Sequence, residues 1–377
     1  MSSMNQSCLI IAGEKSGEEH ALSFLPDLKE RVPETHFWGV GGDQLSELGV
    51  ELLYHLKDFS SWGYSGVIQK IPFYWKALAQ IEAEVEKRGT KTAILIDFQD
   101  FNMILAKRLK KKGVAVLYYV APQAWAWKAW RAKRIEQTVH TLFTIIPFEK
   151  KWFADRGVHR VQSVSHPVWF HYHQYWNEIQ ERRPRPTNKK RLLLLPGSRE
   201  AEIKGLLPEF SSAIEILKEN YDLEVSIVRA GHLPESLFGQ YGPDVDHVYS
   251  HDELATALLN SDLCLAASGT VTLICALFAV PTVVTYKTSL LNAYLFYSFV
   301  KYLGPVSLAN IVHNKRVFPE LIQEQASGFN MAKKLEYWIQ HNDKYDSVFH
   351  ELKRTGELIQ GDTNQTAEHM ASVISRG

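Results

Sequence analysis

Short, continuous apolar runs recur along this chain, each leading into a turn and then an amphipathic stretch. A strand wetted on one face alternates polar and apolar residues, whereas a parallel strand covered on both faces reads as an unbroken apolar run. Leu9–Ala12, His36–Val40, Thr92–Ile96, Val114–Val120 and Thr141–Ile146 are runs of this kind. Helical periodicity separates them, about Glu18 to Lys29, Val67 to Lys87 and Phe101 to Lys112. Strands alternating with helices predict a parallel sheet with helices on both faces. The rhythm breaks between His171 and Lys190, where Arg182-Arg183-Pro184-Arg185-Pro186 reads as a linker. It restarts with strands at Leu192–Leu195, Leu223–Val228, Leu263–Ala266 and Thr282–Thr285 and a helix over Glu200–Glu219. From Ala332 onward only helices are predicted. The expected fold is α/β: two Rossmann-like parallel-sheet domains facing a cleft, at 1–170 and 187–340, with a helical tail over 341–377.

Charge and composition narrow the function. Lys plus Arg and Asp plus Glu are both 42, so no net charge draws the chain to nucleic acid. Cys8, Cys264 and Cys275 form no Cys-x-x-Cys pair, and no metal site or disulfide framework is predicted. No signal peptide is expected, because the apolar run after Gln6 is too short. Leu263–Tyr286 is uncharged and long enough to span a bilayer, but Ser268-Gly269-Thr270 and Pro281 interrupt it. Strand, turn, buried helix and strand is the better reading.

Ligands of open α/β sheets bind at the carboxyl ends of strands, so the turns there carry the functional signal. Pro196-Gly197-Ser198-Arg199 opens a helix. Helix N-terminal amides and an arginine suit a diphosphate, while a plain turn capped by Ser198 explains the same residues. Ser268-Gly269-Thr270 is a second such turn, with capping again the alternative. Asp97 ends the Thr92–Ile96 strand, where a carboxylate is a candidate general base; Asp100 reads as the cap of the next helix. Gly13-Glu14-Lys15-Ser16-Gly17 lacks phosphate-loop and dinucleotide-loop spacing. Asp244-Val245-Asp246 has metal-binding spacing but reads as a solvated turn. Tyr118, Tyr119, Trp125, Trp127 and Trp130 lie among Lys128, Arg131, Lys133 and Arg134. That mixture fits a core plus a basic face, or a nucleic-acid or membrane interface.

Taken in order, these turns resemble the lipid-A-disaccharide synthase family. The matching pieces begin with Ala12-Gly13-Glu14, Ser16-Gly17, Gly39-Val40-Gly41-Gly42, Ile96-Asp97 and Asp100-Phe101-Asn102. They continue through Tyr119-Val120-Ala121-Pro122, Trp125-Ala126-Trp127, Pro147-Phe148-Glu149 and His166-Pro167. The last are Leu194 to Arg199, Ala267 to Thr270, Val306-Ser307-Leu308 with Asn310, and Glu320-Leu321 with Gln323-Glu324.

The resemblance implies a GT-B glycosyltransferase whose last helices return to the first domain, working by inversion without metal or cofactor. Its donor would be UDP-2,3-diacylglucosamine and its acceptor 2,3-diacylglucosamine 1-phosphate, called lipid X. The products would be a β-1,6 disaccharide 1-phosphate and UDP. Asp97 would be the catalytic base. Glu14, Ser16, Gly17 and His166 would bind acceptor, and Gly197, Ser198, Arg199, Ser268, Gly269, Thr270 and Asn310 donor. The acylated substrates imply a cytoplasmic, Gram-negative enzyme resting peripherally on the inner membrane, with no nucleic-acid partner and homodimerisation left open. The chain departs from the family at Ile274 and Gly66, where glutamates are usual, and at Lys287, where arginine is. The same fold also serves UDP-sugar 2-epimerases, and loss of the glutamate at Ile274 would suit a non-catalytic UDP-sugar binder.

Overall fold

A computed structural model describes residues 6–59, 63–184, 189–287, 304–361 and 365–376, with only the backbone described over 63–69. Two compact units result: residues 1–170 with 360–377, and residues 171–359.

The first unit is built on a 7-stranded sheet in the order β3-β2-β1-β4-β5-β6-β7. Its strands are β1 (Ser7–Ala12), β2 (His36–Gly41), β3 (Glu51–His55), β4 (Thr92–Ile96), β5 (Ala115–Tyr119), β6 (Thr141–Thr144) and β7 (Val161–Ser163). All neighbours pair in parallel, so every strand's carboxyl end meets the same edge. Successive side chains point to opposite faces. Leu9 and Ile11 accordingly join one buried cluster with Leu78, Ile81, Leu105 and Leu109 of the helices Gly63–Lys87 and Gln99–Lys111. Cys8, Ile10 and Ala12 join the other, with Leu25 and Leu28 of helix Leu25–Arg31 and Met370, Val373 and Ile374 of helix Thr366–Arg376. The single helix expected over 18–29 is two, Lys15–Leu22 and Leu25–Arg31, with Pro26 in the first turn of the second.

Glycine is obligatory within β2. Gly39 has φ +148, and a Cβ there would collide with the Ile10 carbonyl oxygen of β1. The β2–β3 register also shifts between Gly39 and Val40.

The second unit carries a 6-stranded parallel sheet in the order β10-β9-β8-β11-β12-β13. Its strands are β8 (Lys190–Leu195), β9 (Leu223–Arg229), β10 (His247–Ser250), β11 (Leu263–Ala267), β12 (Thr282–Tyr286) and β13 (Glu320–Ile322). The uncharged stretch resolves as expected into β11, the buried helix Thr270–Leu277 and β12. Among the described residues, no helix is long and apolar enough to cross a membrane.

Two further expectations change. The segment read as a linker is largely helical, with Pro167–Tyr172, a 3-10 turn His173–Tyr175 and Trp176–Glu181. Buried Ile179 anchors it, and the Arg182 guanidinium donates to the carbonyls of Ser261 (2.6 Å) and Phe278. A charge that resembled a linker signal thus caps buried carbonyls; Arg185 and Pro186 lie outside the described residues. Nor does the whole tail return to the first unit. Helices Asn342–Leu352 and Thr355–Ile359 belong to the second, where Phe349 and Leu352 are buried. Tyr345 donates to the Asp262 carbonyl (3.0 Å) and Thr355 to that of Ala276 (3.1 Å). Among the described tail helices, only Thr366–Arg376 packs on the first sheet.

Gly39→Ala should destabilise the protein by about 3 kcal/mol or more, since strain and overpacking add in a closed ladder. Urea denaturation followed by circular dichroism would measure this; an unchanged midpoint would contradict the β1–β2 register.

Candidate active site

Each sheet has one point where the strand order reverses, between β1 and β4 in the first and between β8 and β11 in the second. A crevice opens at such points because the flanking loops run to opposite faces. Glu14 and Asp97 follow β1 and β4, whose last residues Ala12 and Ile96 are partners. The first sheet therefore brings these two carboxyls together.

Asp97 and Phe98 both adopt left-handed backbone conformations, φ 46 and 41. The Asp97 amide extends the ladder by donating to the Tyr119 carbonyl (2.9 Å). Its own carbonyl accepts from the Tyr118 hydroxyl (2.9 Å) and Asn102 Nδ2 (2.9 Å). Burial, and next the Glu14 carboxylate, push the Asp97 carboxyl up to about 6, against a lowering hydrogen bond from the Phe98 amide. Glu14 is itself raised by partial burial of its carboxyl. At neutral pH Asp97 is then mostly ionised yet more basic than an ordinary carboxylate, which suits proton abstraction.

The neighbours sort differently from expectation. Asp100 is not the helix cap: Phe98 holds that position and Asp100 lies in the first turn. Its carboxylate pairs with Arg131, which is buried and also donates to Gln99 Oε1 (2.7 Å). Ser16 is exposed in the first turn of helix Lys15–Leu22, and Gly17 is buried beside it. His166 is buried, with Nδ1 accepting from the Val168 amide (3.1 Å). Burial, reinforced by His20, holds it neutral with a value near 3. That leaves Nε2–H as a donor, and the ring does not serve as a proton acceptor.

In the second unit the Pro196–Arg199 turn is already served. The Glu202 carboxylate accepts from the amides of Ser198 (3.1 Å) and Arg199 (3.2 Å) and from the Arg199 guanidinium (2.9 Å). Arg199, not Ser198, is the N-cap, and Gly197 sits at φ +103 where a Cβ would strike Glu202. The Ser268 amide is held by the Thr285 carbonyl (2.8 Å). Gly269 caps helix Thr270–Leu277, and its carbonyl accepts from the Thr272 amide (3.1 Å). That turn, rather than Gly197–Arg199, leaves the Thr270 and Val271 amides without a partner among the described residues.

The Asn310 side chain is engaged by the local fold. Its Nδ2 donates to the Phe318 carbonyl (2.9 Å) and Glu320 Oε1 (2.9 Å), and its Oδ1 accepts from Val317 (2.8 Å) and Phe318 (2.8 Å). A carboxamide makes four hydrogen bonds, so nothing remains for a donor. Ile274 is buried in its helix, Lys287 pairs with Glu209 (2.6 Å), and the surroundings of Gly66 lie outside the described residues. Asp246 accepts from the Val225 amide (2.8 Å) and so steadies the start of β9. Among the described residues, no three His, Cys, Asp or Glu side chains are grouped to hold a metal.

Sequence reasoning gave no role to the acids that shape these turns. Glu18 accepts from the Gly42 (2.9 Å) and Leu45 (3.0 Å) amides, tying the first two turns together. Glu149, pushed up to about 8 by burial, accepts from Trp125 Nε1 (2.9 Å) and the Ile146 amide (3.3 Å). Glu320 gathers the amides of Val306 and Ser307 with Asn310. The available signal was an acid close in sequence to a glycine or proline turn.

A profile of the lipid-A-disaccharide synthetase family matches residues 8–374. A lipid-A-disaccharide synthase of Nitrosococcus oceani is 34% identical over 328 residues, covering 86% of this chain and 84% of that protein. One from Myxococcus xanthus is 32% identical over 372 residues, covering 97% and 96%. Among solved structures, the calicheamicin glycosyltransferase CalG4 superposes with a TM-score of 0.61 at 13% identity, over 99% of each chain. That last likeness speaks to the fold, which is of the GT-B type.

Asp100→Asn should lower stability by about 1–3 kcal/mol, because a buried guanidinium loses its carboxylate, tempered by the exposure of Asp100. Thermal melts of the variant against Asp100→Asn/Arg131→Met would test this; recovery of stability in the double variant is expected.

Proposed function

The chain belongs to the lipid-A-disaccharide synthase family, and from that premise we propose how it carries out the reaction. It is a glycosyltransferase of lipid A biosynthesis. The donor is UDP-2,3-diacylglucosamine and the acceptor is 2,3-diacylglucosamine 1-phosphate. The acceptor's 6-hydroxyl oxygen attacks C1 of the donor sugar as Asp97 takes the hydroxyl proton. The C1–oxygen bond to the diphosphate breaks with its electron pair, and UDP leaves from the face opposite the attack. The product is the β-1,6 disaccharide 1-phosphate. Epimerisation is not favoured, since the relatives matched along the chain are named synthases.

The observation that carries this reading is the raised Asp97 carboxyl beside Glu14 at the reversal point of the first sheet. The second unit would hold the UDP. Amides opening helix Thr270–Leu277 favour negative charge, and Arg199 supplies a cation if Glu202 releases it. Those groups would stabilise charge accumulating on the departing diphosphate. Glu14, Ser16 and Gly17 lie on the acceptor side of the same proposal.

Acylated substrates call for a membrane-facing surface, and the first unit has a suitable one. Trp75 and Trp130 are 51% and 55% exposed. Arg108 lies over the Trp75 ring at 5.1 Å and Arg134 over Trp130 at 4.8 Å. A cavity of about 310 Å³ beside Trp75 is lined by Met103, Ile104, Lys107, Lys111 and Arg134, among others. Indole rings with cations around them suit the headgroup region of an anionic leaflet.

Incubation with both acylated substrates and mass detection of the disaccharide tests the activity. Asp97→Asn should lower turnover at least about a hundredfold, the range for loss of a general base, while UDP affinity stays unchanged. Near-full turnover would remove Asp97 from the role. The rate should rise with pH through about 6. Glu14→Gln removes a negative neighbour, makes ionisation of Asp97 easier and should move that limb to lower pH. Separately, the protein should sediment with phosphatidylglycerol vesicles more than with phosphatidylcholine, and Trp75→Ala/Trp130→Ala should weaken this; equal binding to both would exclude the surface.

A further inference from the structure

Main-chain geometry at Asp97 has a cause outside its own sequence neighbourhood. Two consecutive non-glycine residues in the left-handed region are costly and persist only where their surroundings fix them. The Asp97 amide is fixed by the ladder to β5. Its carbonyl is held from two directions, by Tyr118 of β5 and by Asn102, one turn into the following helix. Asn102 Nδ2 also donates to the Ile96 carbonyl at 3.1 Å.

Both clamping side chains are fully buried. Burial, followed by the charge of Asp97, holds the Tyr118 phenol well above its ordinary value, so its proton is always available to donate. Two carbonyl partners fix which end of the Asn102 amide points at Asp97. Its opposite end, Oδ1, is buried and finds no hydrogen-bond partner among the described residues. An asparagine chosen only to stabilise the core would not orphan an acceptor. One selected to present its amide hydrogens to the Ile96 and Asp97 carbonyls accepts that loss.

We propose that Tyr118 and Asn102 are positioning residues for the reaction: by gripping the Asp97 carbonyl they lock its left-handed backbone and so aim its carboxylate at the acceptor hydroxyl. Neither side chain meets substrate. The inference rests on Asp97 being the base, and the experiment separates the two claims.

Tyr118→Phe removes a single hydroxyl and keeps the ring in the core, so it is the primary variant; Asn102→Ala is the second. Purified Tyr118→Phe should melt close to the parent. It should show kcat lower by about tenfold, equivalent to roughly 1.4 kcal/mol in the barrier, with KM for both substrates and UDP affinity unchanged. Made in an Asp97→Asn background, the same change should cost nothing further, because there is no base left to aim. Wild-type kcat in Tyr118→Phe alongside an impaired Asp97→Asn would overturn the inference and leave the base assignment standing. An equal loss of kcat in both backgrounds would also overturn it, marking a general structural effect. Full activity of Asp97→Asn would instead bring down the base reading, and this inference with it.

Discussion

The pairing of β1 with β4, and its counterpart between β8 and β11, governs nearly everything else in the two units. Because these strands are parallel neighbours whose following loops diverge, they put paired turns at one sheet edge. In the first unit those turns carry Glu14 and Asp97; in the second they carry Gly197–Arg199 and Ser268–Thr270. Parallel pairing also demands burial on both faces, which the residues of β1 meet by feeding opposite clusters. The candidate site is thus a by-product of the same constraint that builds the core.

Acidic side chains do much of the remaining organisation. Glu18, Glu202 and Glu320 each accept from backbone amides in turns that the helix and sheet ladders leave unserved. A buried carboxylate is tolerable when several donors surround it. Glu149 meets the same problem differently, holding its proton into the neutral range while bridging Trp125 to the loop after β6. Several residues within family motifs therefore serve the architecture of the loops, and Asn310 is the clearest example.

The expected and observed strands differ in a systematic way. All nine interior strands were legible as apolar runs, and the four that were not, β3, β7, β10 and β13, are the outermost strands of the two sheets. Edge strands here are short and incompletely buried, as in Glu51–His55 and His247–Ser250. Their residues need not be uniformly apolar, so no run marks them. In the candidate site, Asp97 stood out because an acid directly follows an apolar strand. Tyr118 and Asn102 were named only within an aromatic cluster and a motif, and their grip on one carbonyl was not legible, since an aromatic within a strand and an amide within a helix are ordinary residues until the fold turns them toward it.

Local chemistry alone determined the alternation of strand and helix, the division into two α/β halves, the breaking of the membrane-like stretch and the position of the turns that matter. Those features depend on hydrophobic periodicity and on glycine and proline, which act over a few residues. Tertiary structure decided which groups are spent and which are available. Ser198 and Arg199 answer to Glu202, Asp100 to Arg131, Arg182 to carbonyls about eighty and about a hundred residues onward, and the last helix to the first sheet. Hydrogen-bonding capacity and charge are settled by whichever partner arrives in space, and burial fixes how strongly; neither is written in the spacing of residues along the chain.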